Sequence, residues 1–234
     1  MRRRTTGVAT AALAVAGGAG AQPLYMDATA THLPAGIAGP CMNAAAGDAD
    51  GDGDLDLALA MEFVPKVLLE NDGAGHFSDA SDRLPRTVHD SEDVAFADFD
   101  LDGDLDLVFV SEDDRKDELF LNDGAANFAD VSGRLVPDDV SNALVVLDLN
   151  GDGAPDLLTG NIGVDRALVN DGAARFQDDT ATRWRQGGAD SRTQDLEAFD
   201  ADGLKDLFLC NRASLRNDPQ GSGGVPRLLL KRAR

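Results

Sequence analysis

The chain has 234 residues, with 42 Asp plus Glu against 21 Lys plus Arg, and a formal net charge of −21. That balance argues against a nucleic-acid groove, which needs a basic footprint, and against docking on an anionic membrane surface. Aromatics are only 5% of the residues, too few for a large aromatic-lined cofactor pocket, while 43% hydrophobic content is enough for a folded core.

In chain order, Arg2, Arg3 and Arg4 precede a weakly apolar run from Gly7 to Gly20, and Ala19-Gly20-Ala21 then has the small-x-small form of a leader cleavage site. Residues 1–21 are therefore expected to be a signal peptide, with Gln22 opening the mature chain. The run is too short and too rich in Ala and Gly for a membrane span, and no later segment approaches one. The expected location is secreted, periplasmic or cell surface. Cys41 and Cys210 are the two cysteines, and such a compartment permits a disulfide that their spacing alone does not decide.

From Asp48 onward one pattern recurs. Asp48-x-Asp50-Gly51-Asp52-Gly53-Asp54-Leu55-Asp56 returns as Asp98-x-Asp100-x-Asp102-Gly103-Asp104-Leu105-Asp106, then as Asp148-x-Asn150-Gly151-Asp152-Gly153-Ala154-Pro155-Asp156. A weaker copy holds Asp200, Asp202, Gly203 and Asp206, and Gly53, Gly103, Gly153 and Gly203 are each 50 residues apart. Each of the first three copies is followed by an apolar run and an Asn-Asp-Gly turn at Asn71, Asn122 and Asn170, a sequence suited to tight hairpins. Next comes an aromatic-x-Asp-x-Ser/Thr signature at Phe77, Phe128 and Phe176, which also stands at Tyr25-Met26-Asp27-Ala28-Thr29. The runs at 94–97, 105–110, 119–121 and 144–147 have the length and composition of strands, and nothing sustains a helical period. Each unit reads as strand, acidic loop, strand, connection, strand, turn, strand.

Four antiparallel strands in roughly 50 residues make a propeller blade. The expected fold is all-β: a β-propeller of about four repeats, near 25–76, 77–127, 128–175 and 176–234 within a domain spanning 22–234. Residues 25–31 are expected to close the array by pairing with the C-terminal strand, which removes two exposed sheet edges. The alternative is an open array that closes by dimerising.

Carboxylates at loop positions 1, 3, 5 and 9, with Gly at 6, converge oxygen donors on one point, as hard Ca²⁺ requires. The predicted ligands are Asp48, Asp50, Asp52 and Asp56; Asp98, Asp100, Asp102 and Asp106; and Asp148, Asn150, Asp152 and Asp156. Position 7, occupied by Asp54, Asp104 and Ala154, is expected to offer its backbone carbonyl. The fourth loop either has Ala198 at position 1, leaving Asp200, Asp202 and Asp206, or starts at Asp200 with two residues lost before Leu204. Both versions weaken a fourth site, and Glu197 is a neighbouring substitute donor. Position 12 is Leu59, Phe109 and Thr159, which excludes an EF-hand, whose loop needs Glu there.

The loop, the Asn-Asp-Gly turn and the Phe-x-Asp-x-Ser/Thr strand together resemble the FG-GAP/VCBS repeats of integrin-α-like β-propellers, from Tyr25 to about Lys231. The resemblance implies Ca²⁺-stabilised blades in extracellular or surface proteins that bind proteins or glycans. The chain departs from it in having four sets where family propellers usually have seven blades, and in its defective fourth loop.

Little else suggests chemistry. The three histidines are His32, His76 and His89, and no nucleophile elbow, Walker loop or zinc spacing appears. His76 reads as a turn residue, Trp184 as packing between blades, and Arg83, Arg134 and Arg183 as partners for the preceding strand's Asp. Asn211 to Gly224, Gly/Ser-rich, is the one insertion. The expected function is a non-catalytic, Ca²⁺-binding module for protein or glycan, monomeric or homodimeric. A Ca²⁺-assisted polysaccharide hydrolase or lyase, and a scaffold fragment of a larger propeller, are the alternatives.

Overall fold

A computed structural model describes residues 25–135, 139–183, 191–200, 205–211 and 227–229, and in them every element longer than a single helical turn is a β-strand. The first unit comprises β1 (Cys41–Gly47), β2 (Asp56–Pro65), β3 (Val67–Asn71) and β4 (Phe77–Asp79). The second comprises β5 (Val88–Ala97), β6 (Asp106–Ser111), β7 (Glu118–Asn122) and β8 (Phe128–Asp130). The third holds β9 (Ser141–Leu147), β10 (Asp156–Gly163), β11 (Arg166–Asn170) and β12 (Phe176–Asp178). Of the fourth, β13 (Ser191–Asp200), β14 (Lys205–Asn211) and β15 (Arg227–Leu229) are described. All pairings are antiparallel, and each unit is a meander of the kind found in propeller-like folds.

Strand β5 starts earlier than the run at 94–97 predicts, because its first residues pair with the preceding unit, as do those of β13. Glu62 faces Asp90 and Val64 faces His89, and Ile162 likewise faces Arg192. These short ladders fuse successive units into sheets of eight and seven strands. Each innermost strand also carries one unpaired bulge residue at the same place: Met42, Glu92, Asn142 and Gln194.

The core lies at the joints between units. Ala58 and Leu68 pack with Leu107, Phe109 and Phe120 of the next unit. Val108 and Leu119 do the same with Leu157 and Leu168, and Leu158 and Ala167 with Leu207 and Leu209. One face of every sheet thus sends alternate residues forward and the other face sends them back, as the period of two demands. Fully burying each such Leu, Val or Phe side chain contributes about 1.5–3 kcal/mol, so a unit depends on its neighbours. Leu84 and Leu135, which follow the aromatic strands, are buried in these joints, whereas Leu33 is exposed.

The N-terminal expectation needs correction. Tyr25 to Ala28 belong to no sheet, and Thr29–His32 form one helical turn, α1. The local cap survives: the Thr29 amide donates to Asp27 Oδ1 at 3.0 Å, as Ser81 does to Asp79 at 3.0 Å, Ser132 to Asp130 at 2.9 Å and Thr180 to Asp178 at 2.9 Å. A cap is local, but a strand requires a pairing neighbour, and no described strand pairs with this segment. Residues 1–21, Trp184, Asp202 and residues 212–224 lie outside the described residues.

Candidate metal centre in the acidic loops

The loops are chains of side-chain-to-backbone turns, which is how consecutive Asp and Gly residues satisfy their amides without a ladder. At position 1, Asp48 accepts from Gly51 at 2.9 Å and Gly53 at 3.0 Å, Asp98 from Asp102 and Gly103 at 3.1 Å each, and Asp148 from Gly151 at 2.6 Å and Gly153 at 3.0 Å. At position 5, Asp52, Asp102 and Asp152 each accept the amide two residues on, at 2.9–3.0 Å. Position 6 has φ of 95°, 104° and 92° at Gly53, Gly103 and Gly153, the left-handed region that makes glycine the fitting residue there.

The structure brings together Asp48, Asp50 and Asp56, and separately Asp98, Asp100 and Asp106, each set having one carboxylate oxygen per residue within 4.8 Å of the others. Asp52 and Asp102 are not in these sets. In the third loop Asn150 Nδ2 donates to Asp152 Oδ2 at 2.6 Å, so its amide is turned on its neighbour. The donors fit a hard cation: they are all oxygen, and Asp100 Oδ1 is a buried atom with no hydrogen-bond partner.

Position 9 does more than the pattern suggested. Asp56, Asp106 and Asp156 are almost wholly buried and brace the unit through both carboxylate oxygens. Asp106 accepts from Phe99 in its own loop at 2.8 Å and from Asn122 on β7 at 2.9 Å; Asp56 and Asp156 repeat this with Ala49 and Asn71, and with Leu149 and Asn170. Burial, only partly offset by these N–H donors, pushes the Asp106 carboxyl up to about 6 and raises Asp56 and Asp156 as well. Burial, then the charge of Asp102, raises Asp100.

At position 7 the side chain packs on the turn. The side chains of Asp54 and Asp104 lie against Gly73 and Gly124, the glycines of their own units' Asn-Asp-Gly turns, where an added Cβ would collide with the carboxylate. Ala154 stands 4.0 Å from the corresponding point at Gly172. Loop and turn are one interlocked feature.

Sequence reasoning missed the links between units. Asn122 Nδ2 donates to the Ala49 carbonyl of the preceding unit's loop at 2.7 Å and to Leu105 at 3.0 Å; Asn170 Nδ2 donates to Phe99 at 2.7 Å and to Pro155 at 3.1 Å. The recurrence of Asn before Asp-Gly was the visible signal, read only as turn chemistry. The arginines also differ from expectation: Arg83 pairs with Glu70 and donates to the Ala125 carbonyl, Arg134 donates to Ala173, and Arg183 bonds Asp179 at 2.5 Å. The preceding strand's Asp is already used in the Ser/Thr cap. His76 is a half-exposed turn residue, stacked on His32 at 4.5 Å.

The fourth loop resolves in favour of the shorter alignment. Gly47 faces Asp56, Ala97 faces Asp106 and Leu147 faces Asp156, but Phe199 faces Asp206 and Asp200 faces Lys205. Asp200 therefore holds position 1, and the hairpin is two residues shorter than the others. Asp206 keeps the buried place of position 9, Glu197 is exposed, and the other site position, Asp202, is outside the described residues.

Residues 65–109 and 99–159 match the family model described as FG-GAP-like repeat. Residues 65–159 are thus FG-GAP-like repeats. No curated protein matches it. Among solved structures, an Agrocybe aegerita lectin described as specifically recognising non-reducing terminal N-acetylglucosamine is 18% identical, with a TM-score of 0.45, covering 78% of this chain and 50% of its own. The Vibrio cholerae biofilm matrix protein Bap1 is 18% identical, with a TM-score of 0.46, covering 80% of this chain and 26% of its own. The chain thus spans half or less of these proteins.

Proposed function

We propose that the chain is a non-catalytic, calcium-stabilised binding module whose four units are propeller blades, acting outside the cytoplasm on a protein or glycan. One observation carries the metal reading: two loops each gather three carboxylates around one point, and one of them leaves Asp100 Oδ1 buried without a donor. Uncompensated, such a cluster repels itself; a hard divalent cation removes the repulsion and completes the oxygen shell. Asp48, Asp50 and Asp56, and Asp98, Asp100 and Asp106, are the residues that hold the ions, with Asp52 and Asp102 joining from the loop rim. The third loop, with Asn150 in place of a carboxylate, offers a weaker site. The FG-GAP repeat family is generally non-catalytic, which supports the binding role. The reading of residues 1–21 as a leader supports export.

Bound Ca²⁺ adds to folding free energy by linkage, about 2.7 kcal/mol per site at a hundredfold excess over Kd. Titration calorimetry of the full chain and of Asp98→Asn/Asp100→Asn tests the assignment. The expected result is about one fewer ion per chain in the variant, with a lower Tm in chelator for the wild type. Unchanged stoichiometry would reject the second loop as a site, and a Tm indifferent to chelator would reject calcium altogether. A glycan and surface-protein screen with and without Ca²⁺ tests the partner class.

A further inference from the structure

Among the described residues the joint between units is built three times, and each of its two halves recurs once more outside such a joint, in the fourth and in the first unit. The forward half is the face that in the first three units carries Ala58 and Leu68, Val108 and Leu119, and Leu158 and Ala167, all 0–1% exposed. In the fourth unit the same two positions are Phe208 and Leu228, paired in register and 39% and 54% exposed. The receiving half is the first unit: Leu57 and Leu59 are half-buried beside buried Leu69 and Val67, with Ile37 packed on the same cluster, and β1 is exposed over Cys41 to Ala44, where β9 is buried over Ser141 to Leu144.

The register places the two cysteines on opposite halves of this joint. Counted from the residue facing position 9, Cys41, Ser91, Ser141 and Thr193 are equivalent; counted from position 9 itself, so are Ala60, Val110, Gly160 and Cys210. Where the third unit meets the fourth, a Cβ built on Gly160 lies 3.0 Å from the Thr193 Cβ. Disulfides need Cβ atoms about 3.5–4.5 Å apart, so a cysteine at each of these places requires a shift of only a few tenths of an ångström. Both cysteines are free in the chain as folded. Tyr25 and Met26, 93% and 79% exposed, precede the capped Asp27 in the pattern of β4, β8 and β12, and the strand type that those elements pair with is β15 in the fourth unit.

We propose that the fourth unit of one chain docks on the first unit of a second copy, with Phe208 and Leu228 against the Leu57 face, Tyr25 to Asp27 beside β15, and a Cys210–Cys41 disulfide across the joint. Within one chain the innermost strands adjoin in the order β1, β5, β9, β13, and no comparable packing returns from β13 to β1 among the described residues. A second copy supplies both halves, and two copies satisfy both joints reciprocally. The bond forms by thiol–disulfide exchange: two thiols become one disulfide, and a small-molecule disulfide oxidant takes up the two electrons and two protons as two thiols.

The test uses the full chain in a glutathione redox buffer, read by light scattering, non-reducing electrophoresis and peptide mapping. The expected product has twice the monomer mass, with the Cys41 peptide linked to the Cys210 peptide. Mixing Cys41→Ser with Cys210→Ser yields a linked pair, whereas neither variant alone does. Phe208→Ser/Leu228→Ser, at exposed positions where folding is little affected, weakens association by about tenfold or more. A monomer carrying an intrachain Cys41–Cys210 bond would overturn the proposal, as would a chain that stays monomeric and unlinked. Equal cross-linking by either single-cysteine variant alone would overturn it too.

Discussion

Replacing Asn122 by Ala tests whether the Asn of each Asn-Asp-Gly turn clamps the preceding unit. Its side chain is buried and makes three bonds: Nδ2 to the Ala49 carbonyl at 2.7 Å and to Leu105 at 3.0 Å, and Oδ1 from the Gly124 amide at 3.2 Å. At about 0.5–1.5 kcal/mol net for each bond, with two carbonyls losing a donor, Asn122→Ala should cost about 2–4 kcal/mol. Asn71 is the internal control. It makes the bonds within its unit, to Leu55 at 3.2 Å and from Gly75 at 3.0 Å, is half-exposed, and stands in the first unit, so its loss should cost about 1–2 kcal/mol. Asn122→Asp, which sets an oxygen against two carbonyl oxygens, should be at least as harmful as Asn122→Ala. Urea unfolding followed by far-UV circular dichroism measures the difference, and Tm should fall by about 2–4 °C per kcal/mol in a chain of this size. If Asn122→Ala and Asn71→Ala agree within about 0.5 kcal/mol, the clamp between units is not a source of stability.

Gly124→Ala should destabilise by more than the ~1–2 kcal/mol of a left-handed residue, because its φ is 80° and the Asp104 carboxylate occupies the Cβ position; adding Asp104→Ala should recover part of the loss in urea titrations, as Ala154 faces Gly172 in the third unit. Glu92 has a carboxyl pushed up to about 7, first by burial and then by the charges of Asp90, Glu112, Glu62 and Asp113. Its folded pKa exceeds the ordinary 4.5, so ionisation opposes folding and its contribution improves as pH falls from above 7 towards 4.5. Glu92→Gln should therefore stabilise at pH about 8 by about 1 kcal/mol, allowing for solvent screening, and flatten the urea midpoint between about pH 5 and 8. Lys66 is buried against Glu118, with its ammonium 5.1 Å from the Phe109 ring centre, and joins the first unit to the second. Lys66→Met should cost about 3–5 kcal/mol by stranding Glu118, and Lys66→Met/Glu118→Gln should recover most of it in a double-mutant cycle.

The parts of the fold written in short windows were legible in the sequence. The loops from Asp48, Asp98 and Asp148 and the three turns fall where the motifs place them, because Asx turns, left-handed glycines and period-two strands are decided by residues a few places apart. What crosses units was not legible. Nothing local distinguishes an Asn that shapes its own turn from one that also grips Ala49 or Phe99, or reveals that Asp106 divides its oxygens between a loop and β7. The 50-residue spacing of Gly203 left two alignments of the fourth loop open, and the pairing of Phe199 with Asp206 selects the one with two residues lost, offset by two extra residues upstream. Tyr25 to Thr29 carries the complete outer-strand motif and forms only its cap, since hydrogen bonding to a neighbour is not a property of the segment itself.

The carbonyl at loop position 2, gripped at Ala49 by Asn122 and at Phe99 by Asn170, bears on how such chains lengthen and shorten. Donor and acceptor sit at fixed places in the unit, so duplicating a whole unit inside the array carries a matched pair with it, and no compensating substitution is required. Excision of the second unit would likewise bring Asn170 to the Ala49 carbonyl, the same donor type on the same acceptor place. A break within a unit is different: it leaves one neighbour's carbonyl bare and the other neighbour's amide without a target. Growth and loss by whole units is therefore the path of least disruption, and the genetic history of the array is constrained by a hydrogen bond that no single unit contains.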